Sequence, residues 1–327
     1  MKGPAIGPAA VAVEAVEADG WHAADLSPSD WRIEGSAALR AEISAMIHRM
    51  RMRPLPALLD GPERFELPLC STLMKEVRQR LKQGAGFAVV ASLWPADADP
   101  DELRAAFWVL GKLLSRPVAT KWDGTMMYDV RDTGRAFGPG VRGSAARVEL
   151  SFHTDNSFGD SPPDYVGLLC LEPAISGGIS RISSLAMAYR QLRLHHPIAI
   201  HRLHRPCWFD RQGEHAPAAP EMLQAPVFET RNGRLMARVT PGLNRRALTQ
   251  RCEADPLLLD ALDKLQALLS APGAYVEFML ARGEMQFVDN NRCAHFRSAF
   301  DDPPEGGSPR HLVRVWYREA GTIDYQG

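Results

Sequence analysis

No stretch of this 327-residue chain is apolar for long enough to cross a bilayer. The longest runs, such as "YVGLLCL" (165–171), have the length of a strand. Charge of one sign is also missing: the formal net charge is −1, so electrostatics gives no reason to expect a nucleic acid or an anionic membrane as partner. A small molecule is the expected partner, and nothing in the chain forbids a homo-oligomer. Cysteine is scarce. The five residues at 70, 170, 207, 252 and 293 are an odd number, form no CxxC pair and sit mostly among apolar neighbours. That argues against a disulfide framework and for buried reduced thiols in a cytoplasmic protein. Internal repeats and low-complexity linkers are absent as well. The first segment, "MKGPAIGPAAVAVEAVEADG", is small and apolar, but Glu14 and Glu17 interrupt any signal-peptide core. Residues 1–35 are therefore expected to be a mobile arm retained on the protein, with one domain over 36–327.

What is present is ordinary for a soluble globular protein, at 45% hydrophobic and 24% charged residues. Leu39, Ile43, Met46, Ile47 and Met50 recur at helical spacing in 36–50, and Leu73, Val77 and Leu81 do so in 71–83. A third helix, 99–115, opens with Asp99 as N-cap and Pro100 at the first helical position. A fourth fits 256–269. "GFAVVAS" (86–92) reads as a buried strand. After residue 145 short strands punctuated by turn residues take over: 147–153, 165–171, 179–183, 225–230, 234–239, 275–280, 284–289 and 310–317. The expected fold is mainly β, a sandwich or barrel over about 145–320, with surrounding helices supplied chiefly by a helical part over about 36–115.

Chemistry is concentrated in "SFHTDNSFGD" (151–160). On a strand, His153 and Asp155 project to the same side, so one imidazole and one carboxylate can reach a single ion. Two histidines and one carboxylate with open positions form the ligand set of non-haem Fe(II) oxygenases. A third ligand must then be one of the ten histidines. His22, His48, His195, His196, His201, His204 and His215 lie in polar arm, helix or loop stretches and read as solvated. His295 follows a strand and a tight polar turn in "GEMQFVDNNRCAHFRSAF" (283–300). Alone it would read as a core histidine; beside the 153–155 pair it reads as a ligand.

In order and spacing, "FHTD", "PPDYVGLLCLEPAISGGIS" (162–180), "DNNRCAHFRSAF" and "RHLVRVWYR" (310–318) resemble the taurine dioxygenase-like (TauD/TfdA) Fe(II)/2-oxoglutarate-dependent oxygenases. The flavour is nearest to γ-butyrobetaine hydroxylase and clavaminate synthase, and the similarity extends over roughly 70–318. The resemblance implies a double-stranded β-helix (a cupin-like jelly roll) and His153, Asp155 and His295 as iron ligands. It implies 2-oxoglutarate and O2 as co-substrates, decarboxylation to succinate and CO2, and oxidation of a C–H bond of a small polar metabolite or natural-product intermediate, most simply as hydroxylation, with desaturation or ring formation as alternatives. Halogenating relatives lack the carboxylate that Asp155 supplies.

The resemblance further places Arg314 on the distal carboxylate of 2-oxoglutarate, with Ser180 beside it. A buried carboxylate calls for a permanent, forked cation. Arg310 and Arg314 share one side of a strand, so spacing does not choose between them. Family position favours Arg314, leaving Arg310 nearer solvent. "WDGTMMYDVRD" (122–132) occupies the region from which family members reach over the substrate, making Tyr128, Asp129 and Arg131 candidates, together with Arg147 and Asn156. Glu284 and the pair Cys293-Ala294 depart from the family pattern without touching the ligand set. Two readings of other classes compete: a zinc hydrolase on the same triad, which has no use for an anchoring arginine, and a non-catalytic jelly-roll binder, which has no need of a complete triad.

Overall fold

The four helices expected from apolar periodicity form at Ala37–Met52, Pro68–Lys82, Pro100–Leu114 and Pro256–Leu269. Asp99 caps the third, accepting from the backbone N–H groups of Asp101 and Glu102. The computed structural model describes residues 20–326 apart from 136, 137, 139, 140, 232 and 304–306. Its larger sheet has seven strands, six of them in the order Arg32–Glu34, Phe87–Ala91, Met285–Asp289, Tyr165–Glu172, His311–Arg318 and Arg116–Val118. Met127–Val130 also pairs with His311–Arg318. A second sheet of four runs Tyr275–Phe278, Ser180–Ser184, Cys293–Arg297, Leu150–His153.

Strand alternation distributes these residues into layers. From His311–Arg318, Val313, Val315 and Tyr317 pack with the three N-terminal helices. Leu312, on the opposite face, joins Val130, Cys170 and Val288 of the same sheet and Ile182, Cys293, Val276 and Phe278 of the other. The two sheets therefore face each other. Phe152, Ala294 and Phe296, on the outer face of the small sheet, pack under Pro256–Leu269 and two helices the sequence did not announce, Leu185–His195 and Pro197–Leu203. Burial of these faces, at about 25 cal/mol per Å² of apolar area, is the main force holding the layers together.

The arm expected over 1–35 needs correcting where it can be seen. Residues 1–19 lie outside the described residues, but from Gly20 onward the chain is packed. Trp21 donates its indole N–H to the Ala85 carbonyl. Trp31 stacks on Phe87 and Phe278 at 5.6 and 5.3 Å, and Arg32–Glu34 pairs in parallel with Val89–Ala91. Two buried tryptophans give this segment far more apolar area than an arm can leave in water. Four cysteines are buried and Cys252 is exposed; all five are free thiols. Among the described residues no helix is long and apolar enough to cross a membrane.

Candidate active site

Leu150–His153 pairs with Cys293–Arg297, and the register sets His153 directly opposite His295. Their rings lie 4.3 Å apart. The strand stops at His153, two residues before Asp155, yet the carboxylate still turns back to them. Asp155 Oδ1 is 3.4 Å from His295 Nε2 and 3.7 Å from His153 Nε2. One donor atom from each residue thus falls within 4.8 Å of the others, a spacing one ion can bridge.

Two of the three donors have an orienting partner; His295 Nδ1 is buried without one among the described residues. His153 Nδ1 lies 2.8 Å from the Ser151 carbonyl, which can only accept; the proton sits on Nδ1 and Nε2 is free for a metal. Burial, with His295 alongside, lowers the His153 imidazole to about 3 and keeps it neutral. Asp155 is 4% exposed. Burial alone would raise its carboxyl, but Arg314, His295 and His153 hold it well below the usual carboxylate range. Its Oδ2 accepts from Trp316 Nε1 at 2.6 Å and pairs with Arg314 Nη1 at 3.0 Å. That leaves Oδ1 for the ion.

Arg314 borders the triad, and for Arg310 the structure differs from the expectation that it lies nearer solvent. Arg310 is not near solvent: it is 4% exposed, lies over the Phe300 ring at 4.9 Å and makes no side-chain ion pair among the described residues. Burial lowers its guanidinium to about 10. Gly178, at φ +67°, makes room for it, since a Cβ there would stand 3.1 Å from Arg310 Nε. Arg297 lies over the same ring at 4.8 Å and directly across the ladder from buried Ser180. Burial and the neighbouring Arg310 lower it to about 9. Its Nη2 donates to the carbonyls of Ala146 and Val148, while Nε and Nη1 are buried without partners among the described residues, as is Arg310 Nη1. Arg297, two strand positions from His295, and Arg310 are thus two buried cations with no carboxylate partner among the described residues, an arrangement suited to an anion.

The region proposed for substrate divides. Tyr128 is in register with Arg314 and lies under two guanidinium groups, Arg142 at 4.9 Å and Arg314 at 5.1 Å. Asp129, one residue on, faces the other side and is bound by Arg104 and His311. Arg131 is exposed, and Arg147, also exposed, pairs with Asp132 and Asp302. These three are not brought to the triad: strand register turns Asp129 to the other face, and Arg131 and Arg147 lie outside the strands. Asn156 is buried at φ +51° and donates to the Gln326 carbonyl at 3.4 Å. Sequence reasoning missed Arg142, ion-paired with Glu214, and Tyr325, which stacks on Trp316 and donates to the Glu214 carbonyl. Both come from loops with no periodic signal. It also missed Arg297, although the two-residue period that groups His153 with Asp155 would have put Arg297 beside His295.

With this geometry in view, comparison with known proteins gives a consistent answer. Over 298 residues the chain is 28% identical to FR-33289 synthase of Streptomyces rubellomurinus, covering 88% of this chain and 85% of that one. It is also 28% identical to uridine-5'-phosphate dioxygenase of an Amycolatopsis species, over 72% of this chain and 86% of the relative. Among solved structures, asparagine oxygenase in complex with Fe(II), 3-hydroxyasparagine and succinate superposes with a TM-score of 0.69 at 20% identity, covering 90% of this chain and 94% of that one. The non-haem iron oxygenase OrfP in complex with Fe and alpha-ketoglutaric acid does so at 0.63 and 17% identity, over 88% and 94%. Residues 51–316 match the model of the taurine catabolism dioxygenase TauD, TfdA family, and the chain belongs to that family of Fe(II)/2-oxoglutarate-dependent oxygenases.

Proposed function

We propose that this dioxygenase hydroxylates a small metabolite bearing an acidic group, with iron held by His153, Asp155 and His295 and 2-oxoglutarate anchored through Arg310. The observation that carries the reading is the pairing of a complete triad with two buried arginines that make no ion pair among the described residues. A hydrolase or a plain binding protein would leave Arg297 and Arg310 without an anion to justify their burial. The two facing sheets support a double-stranded β-helix built as one unit, and the buried thiols support a cytoplasmic location.

Iron and 2-oxoglutarate, when bound, supply the oxidising chemistry that breaks the C–H bond. The chain's own part is placement. Trp316 and Arg314 fix Asp155 through Oδ2, and the Ser151 carbonyl fixes His153, so two of the three donors are set before an ion arrives. Arg310, assisted by Arg297 and Ser180, neutralises the distal carboxylate of the co-substrate. Arg314, which pairs through Nη1 with Asp155 and keeps Nε without a partner among the described residues, is then available for a second task. It lies beside Asp155, over the Tyr128 and Trp316 rings, with Arg142 on the same tyrosine, and suits the acidic group of the substrate. The relatives named for asparagine and uridine-5'-phosphate act on molecules that carry such a group. Asp155 occupies the coordination place a halide would need, which favours hydroxylation.

The test is anaerobic loading with Fe(II) and 2-oxoglutarate followed by exposure to oxygen. A weak visible charge-transfer band before oxygen, and succinate after it, are the expected results. Absence of both from protein shown to be folded would overturn the assignment.

A further inference from the structure

Asp155 lies beyond the end of its strand, where no neighbouring strand holds its backbone. One side chain does so instead. Asn290 is fully buried; its Oδ1 accepts the Asp155 N–H at 2.8 Å and its Nδ2 donates to the Asp155 carbonyl at 3.0 Å. The same Nδ2 donates to the Pro163 carbonyl at 3.2 Å, and the Asn290 backbone N–H donates to the Asp164 carbonyl at 2.9 Å. Both amide hydrogens and the amide oxygen are used. Asn290 also stands in the turn between Met285–Asp289 and Cys293–Arg297, the strand that carries His295. It therefore ties the backbone of the carboxylate ligand to the segment of the distal histidine.

We propose that Asn290 is a positioning residue for the metal centre: its amide substitutes for the missing strand partner and fixes Asp155 relative to His295. Resting on the metal-site reading above, the inference goes beyond it in naming what sets the carboxylate's place. Only a short amide fits. Aspartate keeps the acceptor for the Asp155 N–H but turns oxygens toward the Asp155 and Pro163 carbonyls. Alanine leaves a buried N–H and a buried carbonyl without partners.

The experiment uses the full chain and cobalt(II) as probe, followed by its visible absorption, with His295→Ala as the variant lacking a ligand. Asn290→Ala and Asn290→Asp should each weaken cobalt binding by roughly 10–100-fold, the usual cost of removing a group that orients a ligand. Far-UV circular dichroism of the metal-free protein should be unchanged. On metal-saturated protein the 2-oxoglutarate dissociation constant should stay within about threefold of wild type, because Asn290 lies away from Arg310 and Arg297. Leu110→Ala, a buried change in the N-terminal helical layer, is the control for general loosening. If Asn290→Ala does not fold, Asn290→Asp, of equal size, is read in its place, and failure of both to fold while Leu110→Ala folds would assign Asn290 to the fold and overturn the proposal. Wild-type cobalt affinity in either folded variant would overturn it too, as would an equal loss in Leu110→Ala. If wild type itself binds no cobalt more tightly than His295→Ala, the metal-site reading fails first, a distinct outcome.

Discussion

Replacing Arg310 by methionine, which keeps most of the side-chain volume, should have effects of opposite sign on ligand affinity and on the unliganded fold. Arg310 is 4% exposed and has no carboxylate partner among the described residues. A 2-oxoglutarate distal carboxylate placed against it becomes half of a buried ion pair, and removing the cation from such a pair costs about 3–5 kcal/mol. At about 1.4 kcal/mol per tenfold, 2-oxoglutarate affinity should fall by a factor on the order of a hundred to several thousand. In the unliganded protein the same residue is a liability: burial opposes its charge and outweighs the support of nearby Asp302, and its charge in turn opposes that of Arg297. Arg310→Met should therefore leave the melting temperature of the ligand-free protein unchanged or raise it. Arg297→Met should lower both quantities, since its Nη2 holds the Ala146 and Val148 carbonyls. Ser180→Ala removes at most one hydrogen bond to a charged group, about 1.5–3 kcal/mol, and should do less harm than Arg310→Met. Arg314→Met should alter 2-oxoglutarate affinity least when iron is saturating. Anaerobic calorimetry on the Fe(II) complex gives the dissociation constants, and thermal melts of ligand-free protein give the rest. A larger loss in Arg314→Met than in Arg310→Met would refute the assignment. No loss in any of the four would refute the anion hole itself.

That the choice between these arginines was open in the sequence has a physical reason. His153, Asp155 and His295 were legible because metal binding restricts residue type; the strand period assumed for the His-x-Asp pair stops at His153, and Asp155 reaches the same place by a turn that Asn290 holds. The four helices were legible because a 3.6-residue period writes burial directly into the chain. Whether Arg310 is buried depends instead on Phe300 and on the left-handed Gly178, which approach from other segments. Asp129 fell on the wrong face for a similar reason: the pairing of Met127–Val130 with His311–Arg318 sets Tyr128, not Asp129, beside Arg314. Asn290 looked like part of a polar turn, and only the fold shows that its amide reaches Asp155 across 135 residues. Local chemistry was readable; partners brought in by register and long-range packing were not.

Three other outcomes are expected. His153→Ala, Asp155→Ala and His295→Ala should each abolish succinate formation from 2-oxoglutarate, and robust turnover by any one would remove that residue from the ligand set. In high chloride the wild-type product should carry oxygen and no halogen by mass spectrometry, because Asp155 holds the coordination place; a chlorinated product would contradict this. The last concerns Asp289, which closes the turn before His295 by accepting the Asn291 and Arg292 N–H groups at 2.9 and 3.2 Å. Burial, with Asp164 adding repulsion, raises its carboxyl from 3.8 to about 7. The folded state thus binds this proton more tightly than the unfolded state does. The stability it contributes is fully present below about pH 4 and is lost as the pH rises through about 7. Asn keeps the accepting oxygen and carries no charge, so Asp289→Asn should match wild type near pH 4.5 and exceed it near pH 8, by an amount on the order of 1–4 kcal/mol. Urea unfolding of both proteins at the two pH values measures the gap. If it is the same at both, the Asp289 carboxylate is ionised throughout and burial does not govern it.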